Sequence, residues 1–357
     1  MAAKKKTART KGISIYTIAE ALNVTPGTVS RALNNRPDIG AATRKLVRQK
    51  ASELGFKLRN FEPRVTNICV VVEVSANQNS LFSPFVDAVL DGVWKFCVEN
   101  DMELSLFGEK PERLNECDLI RLLGRRSVNG AVFLNTTKHS QYFAALNRQN
   151  FPYCCVMSGS PDAAQWTIRS DGAALCKRAT SHLIDLGHRH IGLLDTLSGL
   201  DIGADRRAGF EEALQLAGIP GEPGLVFMHA DCGDDVADGF DFGVRGVQAL
   251  LRKSPAPTAF ITMSDEVALG AMHQLISTGV RVPADVSVLS FDDSRFCQFS
   301  NPPLTVVSQS NERFGYEAAR LVSRRIEENF SVNPFPPPII AGDLIVRDST
   351  GPAPRGN

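Results

Sequence analysis

The spacing of apolar positions changes character once along the chain, and the change marks a domain boundary. In "SIYTIAEALNVT" (14–25), Ile18, Ala19 and Leu22 recur at helical spacing, Ser14 stands at a cap position, and Asn23 suits the left-handed residue that closes a helix. The stretch "TPGTVSRALNN" (25–35) starts a second helix almost at once. Thr25 offers its hydroxyl as N-cap, Pro26 fits the first helical position, where no N–H is needed, and Val29 and Leu33 face inward. A third stripe, Leu46, Val47, Ala51 and Leu54, lies between Gly40 and Gly55. From Thr66 onward strand-like runs (NICVVVEV, GAVFLN, YCCVM, HIGLLD, GLVFM, TAFITM, VSVLSFD) alternate with helical patterns such as PFVDAVLDGVWKFCVEN and DEVALGAMHQLISTG. The pattern predicts an all-α head of three short helices and an α/β body of right-handed βαβ units, long enough for two parallel sheets.

Charge sharpens the division. Residues 1–60 hold thirteen Lys/Arg against three Asp/Glu, so the head is about +10 and the rest of this formally neutral chain about −10. A basic head on an acidic body points to a polyanion, and two short helices joined by a tight turn point to double-stranded DNA. In a helix-turn-helix the second helix enters the major groove N-terminus first, which aims residues 25–31 at the bases. Thr25, Thr28, Ser30 and Asn34 can donate to phosphates, whereas the Arg31 fork matches guanine O6 and N7. Lys4, Lys5, Lys6, Arg9 and Lys11 read as a basic tail adding nonspecific contacts.

Residues 14–56 resemble the DNA-binding head of the LacI/GalR family of bacterial transcriptional regulators, and the similarity continues through nearly the whole chain. The resemblance places Pro26, Gly27 and Arg31 at the base-reading positions, with Ser14 and Tyr16 completing the expected DNA-contact set. Pro26 and Gly27 have no side-chain hydrogen bond to give a base, so readout leans on Arg31, on apolar contact from Pro26 and on DNA shape. Family members follow the head with a hinge segment of about a dozen residues that inserts a leucine into the minor groove. Here KLRNFEPRV (57–65) is shorter, contains Pro63 and has no A-R-x-L match, so no leucine wedge is carried over. Leu58 or Phe61 can substitute, or the segment is a plain tether.

For the body, the resemblance implies a two-lobed fold similar to periplasmic sugar-binding proteins. The chain would cross between lobes near 165, 306 and 330–336. The expected organisation is a head at 12–57, a shortened linker at 58–65 and an effector-binding and dimerisation domain at 66–350. Its N-lobe would span about 66–165 and 307–330, and its C-lobe about 166–306 and 336–349. Open parallel sheets bind ligands beyond the carboxyl ends of their strands, and a cleft there can close on a small molecule. Asp292 in "SFDD" resembles the family carboxylate that accepts effector hydroxyls, and Arg206 in "RRAGF" the arginine that clamps the effector. Asp171 in "RSDG" and Phe85 in "SPFVDAV" hold family positions, with Ser83 and Pro84 as cap and first residue of the following helix. Ser264 replaces a common Asn, Met157 a polar residue, and Asp234 a sugar-stacking aromatic, so the pocket is no copy of a known sugar site.

The implied function is a repressor that binds a pseudo-palindromic operator as a homodimer and answers to a small molecule, a sugar or sugar-derived metabolite. The alternative is a small-molecule sensor whose head serves protein association. No G-x-G-x-x-G, P-loop or G-x-S-x-G stands between a strand and a helix, so no catalytic residue, cofactor or enzymatic activity is expected. His182, His188 and His190 lack companion ligands at metal spacing, and the eight cysteines form no C-x-x-C pair, so no metal is expected either. The cysteines read as reduced core residues. With no apolar signal core and no membrane-length run, the expected location is the bacterial cytoplasm, at the nucleoid, with no membrane partner. "NPFPPP" (333–338) reads as a rigid connector to a last strand in "GDLIVRD".

Overall fold

Strand β1 (Asn67–Glu73) is buried at every position, as its unbroken apolar run requires of a strand covered on both faces. The computed structural model describes residues 14–33, 39–54, 56, 65–74, 83–110, 114, 116–125, 127–196, 201–221, 225–232, 236, 238–328 and 338–354. These fall into two compact units, 1–66 and 67–357.

The first unit holds α1 (Ile15–Leu22), α2 (Pro26–Leu33) and α3 (Ala41–Glu53). Asn23 closes α1 at φ 51°, the left-handed value expected of it. Ile18, Ala19, Val29, Ala32, Leu33, Val47 and Ala51 form the core, with Leu22 and Leu54 packed against it. Leu46 departs from the expected stripe: it is 54% exposed, because Val47 takes the core-facing position and the adjacent residue turns away. Gly55, the linker from 57 to 64 and Asn34 lie outside the described residues.

The second unit opens with β1 and continues through α4 (Pro84–Glu99), β2 (Glu103–Glu109), α5 (Glu116–Arg125), β3 (Gly130–Leu134), α6 (Phe143–Arg148), β4 (Tyr153–Val156) and β5 (Thr167–Ser170). It goes on with α7 (Gly172–Asp185), β6 (Ile191–Asp195), α8 (Asp201–Leu216), β7 (Val226–Met228), α9 (Gly239–Leu250), β8 (Ala259–Thr262), α10 (Asp265–Ser277), β9 (Ser287–Asp292) and α11 (Phe296–Phe299). Last come β10 (Thr305–Ser308), α12 (Asn311–Glu327), β11 (Ile339–Ile340) and β12 (Asp343–Ile345). Two six-stranded sheets result, ordered β11-β5-β4-β3-β1-β2 and β12-β10-β9-β8-β6-β7. All pairings are parallel except β10 with β12, so the last strand is antiparallel.

The expected two-lobed body stands, with its crossings a few residues later than 165, 306 and 330–336. Strand β5 pairs with β4, so the first lobe runs to Ser170; β10 pairs with β9, so the second runs to Ser308. The final crossing lies between β11, which pairs with β5, and β12. Each of these strands is short and equally apolar on either side of the crossing, so composition does not assign it to a sheet. Strand β2, an edge strand only half buried, lacks the continuous apolar run that marks the others.

Glycines let the helices that cover the sheets touch backbone to backbone. A Cβ on Gly92 of α4 would sit 1.8 Å from the Glu312 carbonyl of α12, and one on Gly315 of α12 would sit 1.9 Å from the Val89 carbonyl. In the second lobe Gly243 of α9 approaches the Val267 carbonyl and Gly270 of α10 the Phe240 carbonyl, each within about 2.1 Å of such a Cβ. The α9–α10 contact matters for the site, because it sets the N-termini of both helices side by side.

Candidate functional site

In the head, the start of α2 follows from its side chains. The Thr28 N–H donates to Thr25 Oγ1 (3.1 Å), and the two hydroxyls share a hydrogen bond (2.9 Å). Both threonines thus fix the helix start. At α1 the Ser14 N–H donates to Thr17 Oγ1 (3.3 Å), and Tyr16 projects outward, 68% exposed. Arg31 is exposed and folds back along the helix, its Nε donating to the Gly27 carbonyl at 3.3 Å. Gly27 is exposed, and Pro26 and Ser30 are half-buried. Asn34 lies outside the described residues.

In the body, a cavity of about 460 Å³ opens at the carboxyl ends of both sheets. Ser83, Phe85, Arg206, Ser264 and Asp292 line it, as does Met157. Ser83 accepts from the Val86 N–H (3.3 Å) and Ser264 from the Val267 N–H (3.5 Å), so both are helix caps whose placement brings α4 and α10 to the cleft. Asp171 does not join them. It is exposed, accepts from the Ala174 N–H (2.9 Å) as the N-cap of α7, and is absent from the cavity wall. An aspartate after a strand serves a cap as readily as a ligand, and here the cap takes it. Asp234 lies outside the described residues.

Arg206 is 2% exposed, donates through Nη1 to the Met263 carbonyl (2.8 Å), and lies over the Phe291 ring with Cζ 4.2 Å from its centre. Burial lowers its pKa, and the Asp292 charge is the main opposing influence. Asp292 in turn is raised by burial and lowered by Arg206. Its Oδ1 accepts from Gln309 Nε2 (2.7 Å), while Gln309 Oε1 accepts from Ser170 Oγ (2.9 Å). Gln309 therefore bridges the end of β5 in the first sheet and the end of β9 in the second. The backbone around the cavity is strained: Asn135, Met157 and Asp292 follow or end strands at φ 59°, 56° and 97°.

Among the lining residues not singled out from the sequence, three hold buried polar contacts. Glu73, at the end of β1 and 2% exposed, accepts from Tyr142 Oη (2.5 Å) and Ser140 Oγ (2.9 Å). Asp265, 1% exposed in the first turn of α10, accepts the Ser294 N–H at 2.7 Å. Burial first, and the Asp292 charge next, push its carboxyl up to about 7. Gln309 is the third. Glu73 ends an apolar run, as Asp292 does, whereas Asp265 and Gln309 each follow one after an intervening serine, Ser264 and Ser308.

The histidines serve the framework. His188 is fully buried, its Nδ1 against Thr258 Oγ1 (2.9 Å) and its Nε2 against Ser287 Oγ (3.1 Å), and burial lowers its pKa. His182 Nε2 pairs with Thr350 Oγ1 at 3.1 Å. No helix among the described residues is long and apolar enough to cross a membrane.

Residues 14–58 match the lacI family of bacterial regulatory proteins, and residues 180–350 match the periplasmic binding protein-like domain. The HTH-type transcriptional regulator CelR of Thermobifida fusca is 30% identical over 87% of this chain and 90% of its own length. The repressor CytR of Escherichia coli is 27% identical over 90% of this chain and 91% of its own. Among solved structures, a CelR–cellobiose complex superposes with a TM-score of 0.67 at 28% identity, covering 94% of this chain and 99% of that one. A regulatory protein from Chloroflexus aggregans does so with a TM-score of 0.67 at 26% identity, covering 80% and 98%. With a helix-turn-helix at its front and a two-sheet cleft behind it, this chain belongs to the LacI family of DNA-binding transcriptional regulators.

Proposed function

We propose that this regulator is a repressor that reads a pseudo-palindromic operator as a homodimer and is switched by a sugar or sugar-derived metabolite in the interlobe cleft. The observation that carries the reading is the cavity itself. It has a disaccharide's bulk, sits at the carboxyl ends of both sheets, and is walled by hydroxyl, amide and carboxylate groups around one buried guanidinium. The cellobiose bound to the similar CelR structure supports a sugar as the ligand class. Exposed apolar side chains, Trp94 and Val98 one turn apart on α4 and Phe296 and Phe299 on α11, suit pairing with a second copy. Residues 12–57 act as the DNA-binding head, 58–65 as the linker and the rest as sensor, with no enzymatic step, in the cytoplasm at the nucleoid.

Effector and operator binding are reciprocally coupled, because each favours one arrangement of the lobes. Arg31 carries base discrimination, with Tyr16, Pro26, Gly27, Thr28 and Ser30 shaping the groove contact. The test is a genome-fragment pull-down with the full-length protein at two salt concentrations. One two-fold symmetric motif, lost with rising salt, is expected, and Arg31→Ala should cost about 1–3 kcal/mol of preference among its variants. Salt-labile binding without a motif would overturn operator reading in favour of a head that serves association.

A further inference from the structure

Five carboxylates line the cavity: Glu73 from the first lobe, and Asp238, Asp265, Glu266 and Asp292 from the second. Against them stands Arg206, with His229 the only other titratable side chain on the wall among the described residues. We infer that the cleft selects its ligand by charge, taking an uncharged or amine-bearing polyhydroxylated molecule and rejecting one that carries phosphate or carboxylate. The inference rests on the sugar-effector reading above and narrows its ligand class.

A guanidinium in a cleft invites the opposite conclusion, and its surroundings decide against it. Arg206 spends one donor on the Met263 carbonyl, stacks on Phe291 and is opposed by the Asp292 charge. Its remaining N–H groups suit hydroxyls, and the pair adds little net positive potential. Lys138 and Arg169, both exposed, are not on this wall; they line an adjoining cavity of about 160 Å³ that shares Thr136, Met157 and Ile202 with the cleft and also contains Asp205.

At the junction of α9 and α10 the negative charge has no such partner. Asp238 caps α9, accepting the Asp241 N–H at 2.9 Å, and a Cβ on Gly239 would sit 2.8 Å from Glu266 Oε2. Burial and the Asp238 charge both raise the Glu266 pKa. The helix N-termini offset part of this charge, and the rest faces the cavity. Asp265 lies beside them, its Oδ1 buried next to the Cys297 thiol. Closing the lobes brings Glu73 toward the second-lobe acids. An ammonium between them favours closure, a hydroxyl permits it, and a third anion opposes it.

The experiment is a thermal-shift panel on the full-length protein with glucose, galactose, ribose and cellobiose beside their amino, carboxylate and phosphate derivatives. Each compound that shifts the transition is followed by calorimetric titration together with its derivatives. Binding confined to neutral and amino compounds is expected, with the acidic derivative of any binder at least about tenfold weaker. Glu266→Gln combined with Asp238→Asn, which keeps the cap, should shrink that neutral-to-acidic ratio by about threefold or more. An acidic or phosphorylated derivative that binds as tightly as its parent, or a ratio unmoved in the double variant, overturns charge selection and leaves the cleft reading standing. A panel in which no class binds overturns the cleft reading and this inference with it.

Discussion

The strands run β2-β1-β3-β4-β5-β11 in one lobe and β7-β6-β8-β9-β10-β12 in the other, so each strand has a counterpart at the same place in the second sheet. The first strands of the two sheets both end in a buried acid. Glu73 at the end of β1 is held by two neutral hydroxyls, whereas Asp195 at the end of β6 is fully buried and paired with Arg207. One architecture therefore carries two electrostatic solutions. In the first lobe the carboxylate lies on the cavity wall, and in the second it is ion-paired away from that wall, which Arg206, Asp265 and Asp292 line instead.

The sharpest way to break the comparison is to remove the buried cation of the cavity wall, Arg206. Arg206→Met keeps the apolar stem over Phe291 and deletes the charge. Asp292 is then left buried without its opposing charge, and the Met263 carbonyl loses its donor. Denaturation should show a loss on the order of 3 kcal/mol, and effector affinity should fall about a hundredfold. The first-lobe counterpart, Phe85→Ala, removes contact area alone and should cost affinity about tenfold with a smaller stability change. Equal losses from both would show that the lobes share recognition evenly.

A second comparison tests whether the lobes are mechanically alike. Gly315→Ala presses a methyl onto the Val89 carbonyl, and Gly243→Ala presses one onto the Val267 carbonyl. Each should destabilise by about 2–3 kcal/mol. Gly243→Ala should weaken effector binding more than Gly315→Ala, because α9 and α10 bring Asp238, Gly239, Phe242 and Asp265 to the cavity wall, whereas α4 brings only its first turn, at Pro84 and Phe85.

How far this asymmetry could be read beforehand depended on sequence distance. Alternating periods, caps and charge displayed the head, the two-sheet body and the strand-end position of Asp292. Glu73 ends a run, "VVVE", whose polar residue has no visible purpose until Tyr142, 69 positions away, supplies its hydroxyl. Gln309 becomes a bridge only through Ser170, 139 positions away. Asp171 shows the converse: an aspartate after a strand suits a helix cap and a ligand contact alike, and here it caps α7 off the cavity wall.

The third prediction separates the acids by pH. Asp265 titrates near 7 in the folded chain, against an ordinary value of 3.8. Its folded form therefore holds a proton that the unfolded chain releases. The stability this supplies is fully present below about pH 4 and is lost as pH rises toward 7. Asp265→Asn retains an oxygen for the Ser294 N–H and removes the titration. The variant should gain on the order of 1–2 kcal/mol relative to the parent between pH 5 and pH 8, read as a difference in chemical denaturation at the two values. A constant difference across that range would mean that Asp265 is ionised throughout.

The smallest effect belongs to Glu73, on the first-lobe wall. Both of its oxygens accept hydroxyl protons, Oε1 from Tyr142 and Oε2 from Ser140. In Glu73→Gln one of those sites becomes an N–H₂ group facing a donor. A serine or tyrosine hydroxyl can rotate to accept instead, so only part of one charge-assisted hydrogen bond is lost, about 1 kcal/mol. Chemical denaturation against the parent reads this loss. The cleft also loses a negative charge on its first-lobe wall, so the penalty on an acidic ligand should ease by less than in the Glu266→Gln, Asp238→Asn double variant. An acidic-ligand penalty that eases as much in Glu73→Gln as in the double variant would show that the two lobes contribute equally to the charge of the cleft and would erase the distinction between them.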